Sequence, residues 1–367
     1  TDWNRQSPVH INLCHQEPLW SKQPPTISPA PAPLSPTHKL PDIKSAFPSF
    51  KKPLIILGAL PAEDQTAVKE FCQWYGAPVL TEASSGLREV NHPLWMKAGE
   101  RVVRPYWQRG EFDGVIRFGA VPSWRLWRDL EKWQGPVLTF GHSTWSGLPG
   151  REIQRGALSA WLKAWQQNGP RVENRSSLTE EDRALVAKTD RLLEKFPQSE
   201  PALVHQLSLT ATKNDLMYLG NSRPVRDWND FATMKTTFEI QENRGLNGID
   251  GQVSSFLGHC RAKSENWALL GDMTTLYDLA GLWALRHLPT NIKMRLVIMN
   301  NQGGRIFERL FPDPAFLNVH EINFADWARM WQCDYQNDLR NLPDRVVIEL
   351  KPDNDQTRMF REQAERL

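Results

Sequence analysis

The pattern of apolar and polar positions predicts alternating strands and helices in the first half of the chain. The run at 54–57 is continuously apolar, the segment 63–75 has apolar residues at helical spacing, and Gly76 follows as a C-cap. The same order returns in "DGVIRFGAVPSWRLWRDLEKW", "GPVLTFG" and "REIQRGALSAWLKAWQQNG". Strands that alternate with helices form a parallel sheet covered on both faces, so we predict a central α/β domain at 54–170.

A second series of strands and helices is predicted at 211–367. Its strands lie in "DLMYLGNS", "TTFEIQENRG", "NWALLGD", "MRLVIMNN" and "RVVIELKP", and its helices lie in "IDGQVSSFLGHCRA", in "TTLYDLAGLWALRH" and from about Asn354 onwards. A helical connector at 171–210, containing "SSLTEEDRALVAKTDRLLEKF", precedes this series. The predicted fold class is α/β, with two doubly wound parallel-sheet domains joined by linkers.

A proline-rich segment lies ahead of both series. Residues 18–53 contain ten prolines, which fix φ and remove backbone donors, so we expect an extended, polyproline-like linker there. Only 17 residues come before it, and they include one short strand pattern, "SPVHINL". Because a linker implies a domain on each side, residues 1–17 are expected to be the end of a domain that lies upstream.

Composition and charge exclude several classes of protein. The chain has 44 basic and 42 acidic residues, a balance that does not favour nucleic-acid or membrane-surface binding. No apolar run reaches the roughly 20 residues that span a bilayer, and the first residues do not have a signal-peptide pattern. The four cysteines are far apart and form no CxxC pair, which is typical of reduced thiols in a cytoplasmic protein.

Two apolar runs of the second series end in polar residues suited to ligand binding. One run ends in Gly271 and Asp272, and the next ends in Asn300 and Asn301. One crossover helix fits between these runs, so the carboxylate and the amides would meet at the carboxyl ends of neighbouring strands, where open α/β sheets bind ligands. The residues expected to face the sheet from this helix are Leu276, Leu279, Leu282 and Trp283.

These residues form a hard, oxygen-only ligand set. Mg²⁺ prefers carboxylate and amide oxygens, with phosphate oxygens completing its coordination, and Gly303 offers a backbone carbonyl. The helix start after Asp272 would present N–H groups and the Thr274 and Thr275 hydroxyls to an anion. The segment therefore suits a magnesium–diphosphate group. In the alternative interpretation, Asp272 only caps the helix and the two asparagines only make a turn.

Other candidate motifs are weaker. The Gly58 turn, "GALPAED", lacks the GxGxxG spacing of a dinucleotide fingerprint, and no GxSxG nucleophile elbow occurs. His10 and His15 near Cys14 lack metal-ligand spacing, and the His259-Cys260 pair falls in a predicted helix. Packing or surface positions explain these residues better than chemistry does.

The paired Gly-Asp and Asn-Asn motifs resemble the cofactor motif of enzymes that depend on thiamine diphosphate (ThDP). The blocks "GDMTTLYDLAGL", "NNQGGRIFERL", "ENRGLNGIDG", "GNSRPVR" and "SPVHINLCHQEPLW" together resemble one family, the 2-succinyl-5-enolpyruvyl-6-hydroxy-3-cyclohexene-1-carboxylate synthases of menaquinone biosynthesis. The resemblance runs from about Ser7 to the end and is loosest over 20–220. The NRGxxGIDG and GNSxxVR blocks are specific, whereas Gly-Asp and Asn-Asn alone mark only the superfamily.

The resemblance implies a set of site residues. Asp272 and Asn301 would bind Mg²⁺ through their side chains and Gly303 through its carbonyl, with Mn²⁺ as an alternative metal. Ile249 would be the bulky apolar residue under the bent cofactor. Where some relatives have a second basic residue beside the position of Arg125, this chain has Leu126. The implied substrate-facing residues are Ser222, Arg226, Arg244 and Arg125, the apolar wall is Ile306, Phe307 and Leu310, and the further cofactor contacts are Gly271, Met273 and Thr274.

The resemblance also implies an activity. In this family 2-oxoglutarate loses CO₂ and adds to isochorismate, and arginines suit both substrates because they bind carboxylates bidentately. Members of this family have a third domain, the pyrimidine-binding domain, which carries the glutamate that activates the cofactor. No part of this chain matches that domain. We therefore expect the chain alone to bind ThDP and Mg²⁺ weakly and not to turn over. The resemblance further implies that the chain forms a homodimer or homotetramer, or pairs with a separate pyrimidine-binding domain.

Two alternatives remain open. The chain resembles, more distantly, other ThDP-dependent carboligases and decarboxylases such as the acetolactate synthases, although the NRGxxGIDG block favours the first family. The second alternative is a non-catalytic remnant that binds the cofactor or a partner protein.

Overall fold

The first sheet is parallel throughout and lies between two pairs of helices. The computed structural model describes residues 49–141, 146–148, 158–172, 178–211, 215–244, 247–311 and 313–367, so the predictions for 1–17 and for most of the 18–53 linker lie outside the described residues. The strand order is β2-β1-β3-β4. The elements are β1 (Pro53–Leu57), α1 (Ala62–Tyr75), β2 (Val79–Thr81), α2 (Glu100–Gln108), β3 (Gly114–Phe118), α3 (Arg125–Asp129), β4 (Val137–Phe140) and α4 (Leu158–Asn168).

Both faces of this sheet are buried because β1 alternates its side chains between two cores. Ile55 and Leu57 join the core under α1 and α4, where Phe71 and Trp165 pack with ring centroids 5.1 Å apart. Leu54 and Ile56 join the opposite core under α2 and α3. The helix α1 ends as predicted, since Gly76 has φ 89° and its N–H binds the Cys72 carbonyl.

The second sheet is also entirely parallel, with the order β6-β5-β7-β8-β10-β9. The predicted fold class, α/β with two parallel sheets, is thereby confirmed. No helix within the described ranges is long and apolar enough to cross a membrane. The elements are α5 (Leu178–Lys195), α6 (Glu200–Thr210), β5 (Leu216–Leu219), α7 (Arg223–Phe231), β6 (Glu239–Glu242), α8 (Gln252–His259), β7 (Glu265–Gly271), α9 (Asp272–Leu276), β8 (Lys293–Met299), α10 (Pro314–Leu317), α11 (Ala325–Met330), β9 (Asp334–Gln336), β10 (Arg345–Leu350) and α12 (Asn354–Ala364).

The predicted crossover helix between β7 and β8 is wrong. The α-helix α9 ends at Leu276, and a 3-10 helix, Gly281–His287, follows after a turn. The Asp278 carboxylate binds the preceding helix α8, where it accepts from the Ser254 N–H at 2.7 Å, and the Leu279 carbonyl accepts from the Trp327 indole of α11 at 2.8 Å. These bonds replace the continuous helical ladder, so Leu282 is buried while Leu279 and Trp283 are 41% and 58% exposed.

A buried arginine joins the two sheets. Arg88, 2% exposed, lies between β2 and α2 of the central domain, and its guanidinium donates to the carbonyls of Asn229, Ala232 and Thr233 at the C-terminal end of α7. The Asn229 side chain accepts from the Ala83 N–H at 2.7 Å in the same place. A cation at a helix C-terminus is favourable because the last carbonyls carry partial negative charge. The position of α7 is therefore fixed from the central domain.

Candidate active site

The two polar strand ends meet at one edge of the second sheet. Strands β7 and β8 are neighbours, and Gly271 pairs with Met299 at the end of their shared register. Asp272 follows β7 and the asparagines follow β8, so the three side chains start from adjacent positions. All three are buried, at 3%, 1% and 7% exposed for Asp272, Asn300 and Asn301.

The Asp272 carboxylate bridges the two loops. Its Oδ1 accepts from the Met273 N–H at 2.6 Å, and its Oδ2 accepts from the Gly303 N–H at 2.8 Å. The helix is not capped by this side chain, because the N-cap position belongs to Gly271. His320 Nε2 lies 3.2 Å from Oδ2 without hydrogen-bond geometry. Burial raises the pKa of Asp272, and the bonds from Gly303 and Met273 and the nearby His320 partly offset this effect.

The two asparagines have different environments. The Asn300 side chain is fully engaged, since Nδ2 donates to Glu349 Oε1 at 2.7 Å and to the Ile322 carbonyl at 2.9 Å, while Oδ1 accepts from the Gln302 N–H. Asn301 donates only through Nδ2, to Glu200 Oε1 at 3.4 Å. Its buried Oδ1 meets no donor among the residues that the structure describes. The turn interpretation therefore fits Asn300 but not Asn301.

The loop after Asn301 requires glycine. Gly303 has φ 140°, and a Cβ added there would lie 2.5 Å from the Leu317 carbonyl oxygen. The Gly304 N–H donates to that same carbonyl at 2.6 Å, and the Gly303 carbonyl accepts from the Arg305 N–H at 2.9 Å. The loop thus packs closely against residue 317 and holds the Gly303 amide on Asp272.

The donor set fits a hard divalent cation. A buried amide oxygen without a donor is costly unless a cation or water satisfies it, and a buried carboxylate adjoins the same loop. Carboxylate, amide and peptide oxygens are the ligands that Mg²⁺ and Mn²⁺ prefer. Thr274 is also buried at the start of α9. The Thr275 hydroxyl was expected to face an anion, but it donates to the Gly271 carbonyl at 3.0 Å instead.

Basic side chains lie beyond the ends of the two strands β5 and β6. Arg226, exposed on α7, has a pKa lowered by partial burial and then by the charges of Arg244 and Arg128. Arg244 Nη1 donates to Asn221 Oδ1 at 2.5 Å. Ser222, which begins α7, has φ 75°, a region that non-glycine residues rarely occupy and that often marks a functional site.

The central domain contributes Arg128 to this basic cluster. The residue predicted from the sequence was Arg125, which lies three residues earlier on α3 and is also exposed. Its backbone N–H donates to Glu100 Oε2. Arg128 is the central-domain arginine whose charge lowers the pKa of Arg226. Leu126 is fully buried in the core beneath the helix, so the departure from the basic pair at that position serves packing.

The predicted apolar wall is largely solvent-exposed. Ile306 and Phe307 lie in a 3-10 turn, Arg305–Phe307, directly after the glycine loop, and Phe307 and Leu310 are 51% and 72% exposed. Ile249 is half-buried in the turn before α8. These apolar side chains adjoin the loop of Asn301 and are open to a ligand or to another protein surface.

Sequence reasoning missed a carboxylate pair between the two domains. Glu82, at the end of β2, accepts from both the N–H and the hydroxyl of Ser123, and it is 3% exposed. The pKa of Glu82 is raised to about 7, first by burial and then by the charge of Glu242, while the Ser123 bonds and Arg244 partly oppose these two effects. No local pattern signals this pair, because its members lie on different sheets.

Comparison with solved structures defines the class. The chain superposes on a protein of Mycobacterium smegmatis assigned to the thiamin diphosphate-dependent enzymes, with a TM-score of 0.57 and 17% identity, over 84% of this chain and 62% of that one. The likeness shows that the two parallel sheets of this chain have the same fold as that protein.

Curated relatives narrow the class to one family. A 2-succinyl-5-enolpyruvyl-6-hydroxy-3-cyclohexene-1-carboxylate synthase of Bdellovibrio bacteriovorus is 34% identical over 97% of this chain and 70% of its own length. The synthase of Akkermansia muciniphila is 33% identical over 98% of this chain and 72% of its own length. The chain therefore belongs to this synthase family. No protein-family model matches the chain.

Proposed function

We propose that the chain binds ThDP with Mg²⁺ and takes part in joining 2-oxoglutarate, with loss of CO₂, to isochorismate. The observation that carries the proposal is the buried Asn301 Oδ1, which lacks a donor within the described ranges and adjoins the loop bound by Asp272. Membership in the synthase family supports the choice of substrates.

The metal would be held by three oxygen ligands of this chain. Asp272 offers a carboxylate, Asn301 an amide oxygen and Gly303 a carbonyl, and the diphosphate would complete the coordination. The Asp272–Gly303 bond fixes the spacing between the first ligand and the loop of the other two. When bound, ThDP supplies the carbanion chemistry that removes CO₂ from a 2-oxo acid and transfers the remainder.

The basic cluster would hold the acidic substrates. Arg226 lies near Arg244 and Arg128, and its pKa is lowered by burial and then by repulsion from these two arginines, while Asp227 and Glu100 oppose the shift. A carboxylate substrate would relieve that repulsion and accept paired N–H bonds. Ser222 is the N-cap residue of the helix that carries Arg226, and its hydroxyl makes no capping bond to that helix.

A protein surface would complete the site. Phe307, Leu310, Phe311 and Phe316 are each at least half exposed next to the proposed metal loop, and Tyr277 and Trp283 are exposed on the β7–β8 crossover. Contiguous exposed apolar groups mark interaction surfaces. We place a second copy of the chain, or a pyrimidine-binding domain, on this surface.

The proposal is tested by ThDP binding and by product formation. Calorimetric titration of ThDP with Mg²⁺ should show binding to the full chain that Asp272→Asn weakens by at least about tenfold, since it removes a charged ligand. Asp326→Asn, whose side chain is 85% exposed, is the matched control. CO₂ release from 2-oxoglutarate with isochorismate is measured on the chain alone and with the remaining part of the Bdellovibrio relative added. No ThDP binding in either sample would overturn the proposal.

A further inference from the structure

The orientation of the Asn301 amide is set by one neighbour. An amide has a donor end and an acceptor end, and only the oxygen can bind a metal. In Asn301 the donor end, Nδ2, points to Glu200 Oε1 at 3.4 Å. The reversed orientation would place two oxygens against each other, so the carboxylate favours the orientation that leaves Oδ1 available.

Glu200 is itself held in place. It is the first residue of α6, it is 4% exposed, and its N–H donates to Thr357 Oγ1 at 3.0 Å. Ser199 caps the same helix by accepting from the Ala202 N–H. The side chain of Glu200 therefore has little freedom to turn away from Asn301.

The second oxygen of Glu200 is engaged as well. Oε2 lies 3.4 Å from Arg361 Nη2, and Arg361 binds Asp227 with both of its terminal nitrogens, at 2.7 and 3.1 Å. Asp227 is the neighbour of Arg226 on α7. Glu200 thus accepts from an amide on one side and from a fixed cation on the other, a task that needs two acceptor oxygens.

We propose that Glu200 is a positioning residue that holds the Asn301 amide with its oxygen toward the metal. This inference rests on the proposed function, because it assumes that Asn301 is a metal ligand. Residues that orient metal ligands in this way typically change metal affinity about 10- to 100-fold when they are replaced.

Glu200→Gln is the informative variant because it keeps the volume and removes one acceptor. The glutamine oxygen would stay with the Arg361 cation, and its NH₂ would face Asn301. The Asn301 amide would then turn its own oxygen to that donor and away from the metal. In the double variant Glu200→Gln with Asn301→Asp, one carboxylate oxygen accepts from the glutamine and the other remains free to ligate.

The experiment is a Mn²⁺ titration of the full chain with ThDP present, followed by electron paramagnetic resonance of the free ion. Glu200→Gln should weaken Mn²⁺ binding about 10- to 100-fold, and the double variant should return it to within a few-fold of the unaltered chain. Asp227→Asn is the matched control: it removes one charge from the same cluster, its amide oxygen can still accept from Arg361, and it should leave Mn²⁺ affinity nearly unchanged. Thermal unfolding of each variant checks that it is folded.

Three results would overturn the inference. The first is unchanged Mn²⁺ affinity in folded Glu200→Gln. The second is an equal loss in Asp227→Asn, which would assign the effect to the ion cluster as a whole. Both leave the metal site intact. The third, no Mn²⁺ binding by the unaltered chain, would overturn the proposed metal site and this inference with it.

Discussion

The Gly303 N–H donates to the Asp272 carboxylate at 2.8 Å, across 31 positions of sequence. The bond joins the end of β7 to the loop after β8, and it uses one side chain for two purposes. Oδ2 fixes the glycine loop, and the carboxylate as a whole provides the negative charge that a buried cation needs. The local structure of the loop and the proposed chemistry therefore depend on the same residue.

The two adjacent asparagines should separate stability from metal binding. Asn300→Ala removes the buried bonds to Glu349 Oε1 and to the Ile322 carbonyl, so we expect a loss of about 1–3 kcal/mol in the free energy of unfolding. Asn301→Ala breaks one long bond and should cost less stability, but it should weaken metal binding more. Urea unfolding and Mn²⁺ titration of both variants measure the difference. Equal behaviour of the two variants would contradict the assignment.

Gly303→Ala should strain the loop. The position has φ 140°, and the new Cβ would lie 2.5 Å from the Leu317 carbonyl oxygen, so we expect a loss of about 1–3 kcal/mol in unfolding free energy. Gly258→Ala is the control, since Gly258 lies in α8 with open space around it and alanine there should gain up to about 1 kcal/mol. Urea unfolding curves of both variants decide, and an unaltered curve for Gly303→Ala would contradict the described loop.

Glu82→Gln should change how stability depends on pH. The folded state raises the pKa of Glu82 from 4.5 to about 7, so it binds this proton more tightly than the unfolded chain does. The stability that this group contributes is complete below the lower value and is lost as the pH rises through about 7. Ser123, Glu242 and Arg244 are the groups that face it.

The variant should therefore be more stable than the unaltered chain at a pH above 7 and nearly equal to it near 4.5. We expect a difference on the order of 1 kcal/mol at the higher pH, measured by urea unfolding. Glu63→Gln, at an exposed position of α1, controls for the general effect of removing a charge. A constant difference across the pH range would show that Glu82 ionises normally.

The basic cluster should affect substrate binding more than folding. Arg226→Gln removes an exposed guanidinium, so thermal stability should change little, while loss of a charged bond worth about 1.5–3 kcal/mol should raise KM for an acidic substrate about 10- to 100-fold. Arg128→Gln should act in the same direction and Arg125→Gln less so. Steady-state kinetics of CO₂ release, with the remaining part of the Bdellovibrio relative added, distinguish these variants, and the exposed Arg329→Gln is the control. A raised KM in Arg125→Gln but not in Arg128→Gln would favour Arg125, the residue predicted from the sequence.

Local patterns were enough for most of the sheets and for one part of the site. Continuous apolar runs identified the buried strands, since a parallel strand is covered on both sides, and Gly-Asp and Asn-Asn marked the edge where β7 and β8 end. The edge strand β9 was missed because it has three residues with exposed or half-buried side chains. The helix α2 was missed as well, since Pro105 lies within it.

The features that could not be predicted depend on contacts between residues that are far apart in the sequence. Glu200 lies 101 positions from Asn301, and its sequence context, a serine cap followed by proline, signals only the start of a helix. The prediction of one continuous crossover helix was wrong because residues of α8 and α11 bind the Asp278 carboxylate and the Leu279 carbonyl. The periodicity within 272–287 gives no sign of these bonds. The choice between Arg125 and Arg128 likewise depends on how one domain is placed against the other.

The hydrogen bonds from Arg88 to the C-terminal end of α7 link this helix to the central domain. One end of this nine-residue helix is bonded to the central domain, and the other end carries Ser222 and Arg226. The position of Arg226, which we propose to face the substrates, therefore depends on contacts between α7 and the central domain. The strained backbone of Ser222, at the other end of the same helix, is therefore held relative to the central domain by the bonds of Arg88.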